Sequence, residues 1–216
     1  MGPDPKGTKG NMQEALAVKE AAKIIGISIR TAPKSGGFDD IAYKILTDKQ
    51  KKSIVHKFKE VVGGLQKEKS SDFKKALQLD WNSDADAIDK SDCLLLVGVE
   101  GAKALGLNCG GCGFGNCAQF SNAKRPRNLS IPGPFCIFKI LDLGIAISSA
   151  AKTAANFNID SRIMYKAGLA ADKLELLKGY NPILGLPLSA SGKNIYFDRK
   201  EKLMAKEIWV GINKAR

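Results

Sequence analysis

Apolar residues recur at helical spacing over 13–29, QEALAVKEAAKIIGISI, with few breakers, and predict a largely buried helix. RTAPKSGGFDD at 30–40 then breaks it with Pro33, Gly36 and Gly37. IAYKIL at 41–46 predicts a strand, and 48–66 and 70–79 predict amphipathic helices with Lys-rich outer faces. CLLLVGV at 93–99 is an unbroken apolar run beside a turn, the pattern of a central strand buried on both faces. IPGPFCIFKILDLGIAISSAAKTAANF at 131–157 predicts a long helix, with Pro132 and Pro134 as start signals and an Ala/Gly/Ser face that admits another backbone. SRIMYKAG at 161–168 predicts a strand, followed by a short helix to about residue 178. PILGLPL and NIYFD read as extended, and a charged helix closes the chain. Helices and strands mix without βα alternation, so the predicted class is α+β.

With 216 residues the chain is long enough for one domain, 13–216, after a flexible tail at 1–12. No apolar run reaches the length of a membrane span, and MGPDPKGTKGNM lacks the pattern of a secretory signal, so the expected compartment is the cytoplasm. The net charge of +12 favours anionic partners: a phosphate-bearing cofactor, an acidic redox protein or nucleic acid. A merely solvated lysine surface explains it equally well. KRPR at 124–127 is the only tight basic run, and no nucleic-acid motif accompanies it.

Five cysteines change the picture. A reducing compartment argues against a disulfide framework, and three of the five are crowded into GLNCGGCGFGNCAQF at 106–120. Cys109, Cys112 and Cys117 form C-x2-C-x4-C; Cys136 and Cys93 are candidates for a fourth position. A [4Fe–4S] cluster takes four thiolates, three from a tight loop and one from a distant segment. Intervening glycines let such a loop turn sharply and bring its N–H groups to the cluster. Cys136, two residues past Pro134, falls in the predicted first turn of the long helix, whose positive end favours a thiolate. Cys93 opens an apolar strand, where a free cysteine serves as a small hydrophobe. Zinc is the competing ligand, although four-cysteine zinc sites come as two short pairs. With zinc, the protein becomes a non-catalytic binding module with a structural metal and a basic surface for an anionic partner. Reactive thiols are a third reading, weakened because no base partners any cysteine. The one histidine, His56, lies far off in a Lys-rich helix.

CGGCGFGNCAQF with a distant cysteine is similar to small iron–sulfur modules. IRTAPKSGGFDDI at 29–41, the segment 91–117, LDLGIAISSAAKTAANFNIDSRIMYKAG at 141–168 and GLPLSASGKNIYFDR at 185–199 resemble a family of ferredoxin-domain-containing proteins. The same segments resemble, more distantly, the flavin-dependent nitroreductase fold. That resemblance implies a mixed sheet packed with helices, carrying the Cys-rich iron–sulfur loop of 106–136 as a subregion. It implies FMN, an oxidoreductase or electron-transfer role, and a homodimer with the helix at 134–157 in its interface. Ala32 and Pro33 match the nitroreductase Ala-Pro-Ser element, with Lys34 in place of serine, and Asp142 and Gly144 match its Asp-x-Gly helix. Arg30, Pro33, Lys34, Lys193 and Arg199 (with Lys200) become the candidate flavin contacts. Arg30 and Lys34 also bracket a Gly-rich turn whose N–H groups suit an anion. Asp142 reads as a carboxylate serving Arg162 or a cofactor, or as a surface residue. The arginine-rich nitroreductase start is absent from residues 1–12, as are the Asn and Gln expected after the Ala-Pro-Ser element.

Overall fold

The computed structural model describes residues 12–66, 71–126, 130–197, 203–208 and 210. Four strands, β1 (Ile41–Ile45), β2 (Cys93–Val99), β3 (Asp160–Ser161) and β4 (Ile183–Ser189), form an antiparallel sheet in the order β1-β2-β4-β3. β2 is buried along its whole length, as its unbroken apolar run predicts. Its alternate side chains feed two cores. Cys93, Leu95, Val97 and Val99 face helices α1 (Met12–Thr31) and α5 (Ile137–Asn156). Leu94 and Leu96 face α2 (Asp48–Gln66), α3 (Asp72–Lys90) and α6 (Tyr165–Lys173). A five-residue helix, α4 (Cys117–Ser121), stands apart in the excursion between β2 and α5.

The small face of α5 finds its backbone partner within the chain. Ala146, Ala150 and Ala154 are fully buried with Val18, Ala22, Ile25 and Ile29 of α1. Four expectations are corrected. The long helix begins at Ile137, with Cys136 as its N-cap; Pro132 and Pro134 lie in the non-helical approach. The helix expected at 70–79 runs from Asp72 to Lys90, because Ala76, Ala85, Ala87 and Ile88 continue its buried stripe. The strand expected at 161–168 shrinks to Asp160–Ser161 and a bridge from Met164 to Gly185, and 165 onward is helical. Gly168 decides this: a Cβ there would lie 1.6 Å from the Ile183 carbonyl oxygen, so α6 presses its backbone against β4. NIYF at 194–197, expected to be extended, is a turn in which the Asn194 side chain accepts from the Tyr196 N–H at 3.0 Å. Residues 203–208 are helical, as the charged C-terminal pattern predicts. Among the described residues no helix is long and apolar enough to cross a membrane.

Candidate metal centre

The excursion after β2 leaves and returns at one point. Gly101 follows the strand, and its carbonyl accepts the Cys136 N–H at 2.8 Å. Between them, Cys109, Cys112, Cys117 and Cys136 line one apolar cavity with Leu105, Leu107 and Phe120. All five cysteines are free thiols; Cys109 is exposed, Cys112 and Cys117 half-buried, and Cys136 buried. The space between the four is small, about 10 Å3, and its outer wall is the exposed loop rather than the core.

The loop's shape is built from its own polar groups. Gly113, at φ 87°, closes a turn by donating to the Gly110 carbonyl at 2.9 Å; a residue with a Cβ resists that φ. Asn108 secures Cys117 twice: its N–H donates to the Cys117 Sγ at 3.3 Å, and its side-chain oxygen accepts the Cys117 N–H at 2.8 Å. Asn116 caps α4 by accepting from the Gln119 N–H at 2.9 Å. Phe120, 1% exposed, anchors α4 inward and meets Phe114 edge to face at 5.9 Å. Cys136 heads the 20-residue α5, at the positive end of its dipole.

Cys93 lies elsewhere. It pairs with Leu188 at the start of β2, whereas Cys136 binds just past the other end of that strand. The length of β2 separates them, roughly 20 Å at about 3.4 Å per residue. Burial pushes the Cys93 thiol up to about 11. Among the described residues no group of three or more His, Cys, Asp or Glu is placed to hold a metal ion. His56 is exposed and pairs with Glu60 at 3.2 Å.

The 30–40 loop abuts this centre. Leu105, which lines the cavity, approaches Gly36. Asp142, 1% exposed, accepts from the Ser35 N–H at 2.9 Å and the Ser35 hydroxyl at 2.7 Å; it serves neither Arg162 nor the surface. Arg162 donates instead to the Tyr196 carbonyl at 3.1 Å. Asp40 pairs with the buried Lys139 at 2.6 Å and also with Lys103. Burial alone would raise the Asp40 pKa, but hydrogen bonds and charge from Lys103 and Lys139 hold it below the usual carboxylate range.

The candidate flavin contacts do not gather in one chain. Arg30 pairs with Asp39, and the Lys34 ammonium donates to the Ile29 carbonyl at 2.9 Å and to that of Arg30. Pro33 is exposed beside them. Lys193 is exposed past the end of β4 that pairs with Cys93, at the opposite end of the sheet from Arg30, which donates to the Ile41 carbonyl. Arg199 and Lys200 lie outside the described residues. Gly144 is exposed on α5 with open space around it.

Sequence reasoning passed over Asn108, Arg125, Lys139 and Asp40. One signal was available: no Asp or Glu occurs between Glu100 and Asp142, a stretch that contains all four clustered cysteines.

The geometry has a family. Residues 132–199 match a family model described as an uncharacterized protein containing a ferredoxin domain, a stretch that includes Cys136. An uncharacterized protein of Archaeoglobus fulgidus is 40% identical over 185 residues, covering 86% of this chain and 93% of its own. The chain belongs to this ferredoxin-domain family. Its fold is nitroreductase-like. A BluB-like flavoprotein from Clostridium difficile superposes with a TM-score of 0.54 at 16% identity, covering 86% of this chain and 92% of the other. A nitroreductase with bound FMN from Desulfitobacterium hafniense gives 0.50 at 13% identity, covering 85% and 92%. Larger proteins also match: the chain spans 60% of the length of nitroreductase A from Vibrio parahaemolyticus, with 82% of this chain covered, a TM-score of 0.47 and 12% identity.

Proposed function

We propose that this is an iron–sulfur redox protein in which Cys109, Cys112, Cys117 and Cys136 hold a [4Fe–4S] cluster. The observation that carries the reading is that these four thiols line one cavity while Cys93 is sequestered at the far end of β2. The donor chemistry fits: four cysteines, three from a glycine-rich loop and one at the head of a long helix. The absence of carboxylates between Glu100 and Asp142 spares an anionic cluster from like-charge repulsion. A single zinc ion needs its four donors about 2.3 Å from one point, whereas a cube of iron and sulfide spreads its thiolates apart. The grouping of three cysteines in one loop with a fourth at the head of α5, rather than two short pairs, supports the cluster over a structural zinc. A bound cluster would exchange one electron at a time. This chain's residues would hold it, supply N–H groups to its sulfurs and screen Cys136 from water.

The described flavin candidates, Arg30, Pro33, Lys34 and Lys193, do not fit a phosphate site within one copy, since Arg30 and Lys34 are committed to their own loop and Lys193 is remote. No step is assigned to a flavin here. A site for FMN would have to draw on a second copy. The outer apolar side chains of α1 and α5, Leu16, Ile24, Ile27, Leu141 and Ile145, offer a surface for one.

The test is anaerobic purification with iron, sulfide and zinc assayed on one sample, and visible spectra before and after dithionite. About four irons per chain and a brown absorption that bleaches are expected. Cys117→Ala and Cys136→Ala should lose the iron, and Cys93→Ala should keep it. A colourless protein with one zinc would replace the redox reading with that of a structural metal module.

A further inference from the structure

Arg125 belongs to KRPR, the one tight basic run in the sequence. In the structure its guanidinium turns inward and meets five backbone carbonyls. Nε donates to Pro134 O at 3.2 Å. One terminal nitrogen donates to Ser121 O at 3.4 Å and Ala123 O at 3.0 Å. The other donates to Ala102 O at 3.4 Å and Phe120 O at 3.0 Å. The cation also stacks 4.8 Å above the Phe120 ring.

These carbonyls belong to three different stretches of chain. Phe120 and Ser121 are the last residues of α4, the short helix that starts at Cys117, and Ala123 lies just past its C-cap Asn122. Pro134 lies two residues before Cys136. Ala102 follows Gly101, whose carbonyl holds the Cys136 N–H. The last carbonyls of a helix lack partners within it, and this side chain caps that of Ser121 and adds a further donor to that of Phe120. It simultaneously ties the Cys117-bearing helix to the Cys136-bearing approach of α5. A planar fork with five N–H donors is suited to this; a lysine brings three donors on one nitrogen and cannot reach three directions at these spacings.

We propose that Arg125 is the positioning residue that holds Cys117 and Cys136 at the spacing of a common cluster. The proposal rests on the cluster reading above. It also accounts for a cation in the centre of a segment without carboxylates: its charge is spent on peptide dipoles rather than on an external partner.

The experiment compares wild type, Arg125→Lys and Arg125→Ala, all purified without oxygen. It reads iron per chain, the rate of iron transfer to a chelator, and amide hydrogen exchange at Cys136 and across α4. Both variants should fold, with wild-type far-ultraviolet circular dichroism. Both should release iron about 10–100-fold faster, the usual loss when a group supporting a metal ligand is removed. Exchange at the Cys136 amide should quicken in both. Guanidinium at low millimolar concentration should slow release from Arg125→Ala, and methylammonium should not. Wild-type release and exchange in Arg125→Ala would overturn the proposal while leaving the cluster in place. An iron-free wild type would instead overturn the cluster reading, and the proposal with it. If Arg125→Ala does not fold, Arg125→Lys decides: a wild-type release rate there refutes the need for the fork.

Discussion

At the scale of single residues, Asp40 connects the two functional candidates. It is buried between Lys139, three positions after Cys136, and Lys103, on the way to the cysteine loop. Its folded pKa is lowered, so its contribution to stability is present above the ordinary aspartate value of about 3.9 and is lost as pH falls through the lower folded value. Asp40→Asn removes a partner 2.6 Å from the buried Lys139 and should cost about 3–5 kcal/mol at pH 7. That cost should shrink as pH drops below 4, because the wild type loses the same interaction there. Urea unfolding of both proteins over a pH series measures it; a cost that does not vary with pH would assign the loss to packing instead. Asp142 teaches the same lesson. A carboxylate in the sequence says nothing of its burial, and its partner, the N–H and hydroxyl of Ser35, is distant in the chain.

At the scale of elements, α6 and β4 are joined by a backbone approach that only glycine permits. Gly168→Ala would set a methyl group 1.6 Å from the Ile183 carbonyl oxygen, inside any van der Waals distance. Neither the strand nor the helix can yield cheaply, so a loss of about 1–3 kcal/mol or more is expected from thermal or urea unfolding. An unchanged midpoint would mean that α6 sits farther from the sheet. The elements most legible in the sequence were those with one strong periodicity: α1, β1, α2 and β2. The crowding of Cys109, Cys112 and Cys117 into one loop was legible too, since it is local in the chain. The start of α5 was not. Pro132 and Pro134 resemble helix starters, yet the chain continues non-helically until Cys136 is tied to Gly101. The α6 segment was not legible either, because β-branched and aromatic residues at 161–165 favour a strand until the tertiary fit of Gly168 overrides them. Arg125 was hidden for the same reason: a basic run gives charge, not direction.

At the scale of the molecule, α1 and α5 cover one face of the sheet and leave Leu16, Ile24, Ile27, Leu141 and Ile145 outward. We propose that a second copy of the chain packs on this face, as a homodimer through the long helix. Leu141→Arg should convert a dimer into a monomer in sedimentation or light scattering, with the sheet intact by circular dichroism. A wild type that stays monomeric at high micromolar concentration would refute that assembly.

The meeting of Gly101 and Cys136 has a consequence for the history of such a chain. The described residues between them carry a small core of their own in Phe114, Phe120 and Arg125. The entropy of closing a loop grows only logarithmically, about 0.6 kcal/mol per doubling of its length, so a host fold tolerates such an insertion at little thermodynamic cost. The cysteine segment thus closes on the sheet at one backbone seam and meets the 30–40 loop through Lys103 and Leu105; beyond those contacts its length can change over time while the two cores stay as they are.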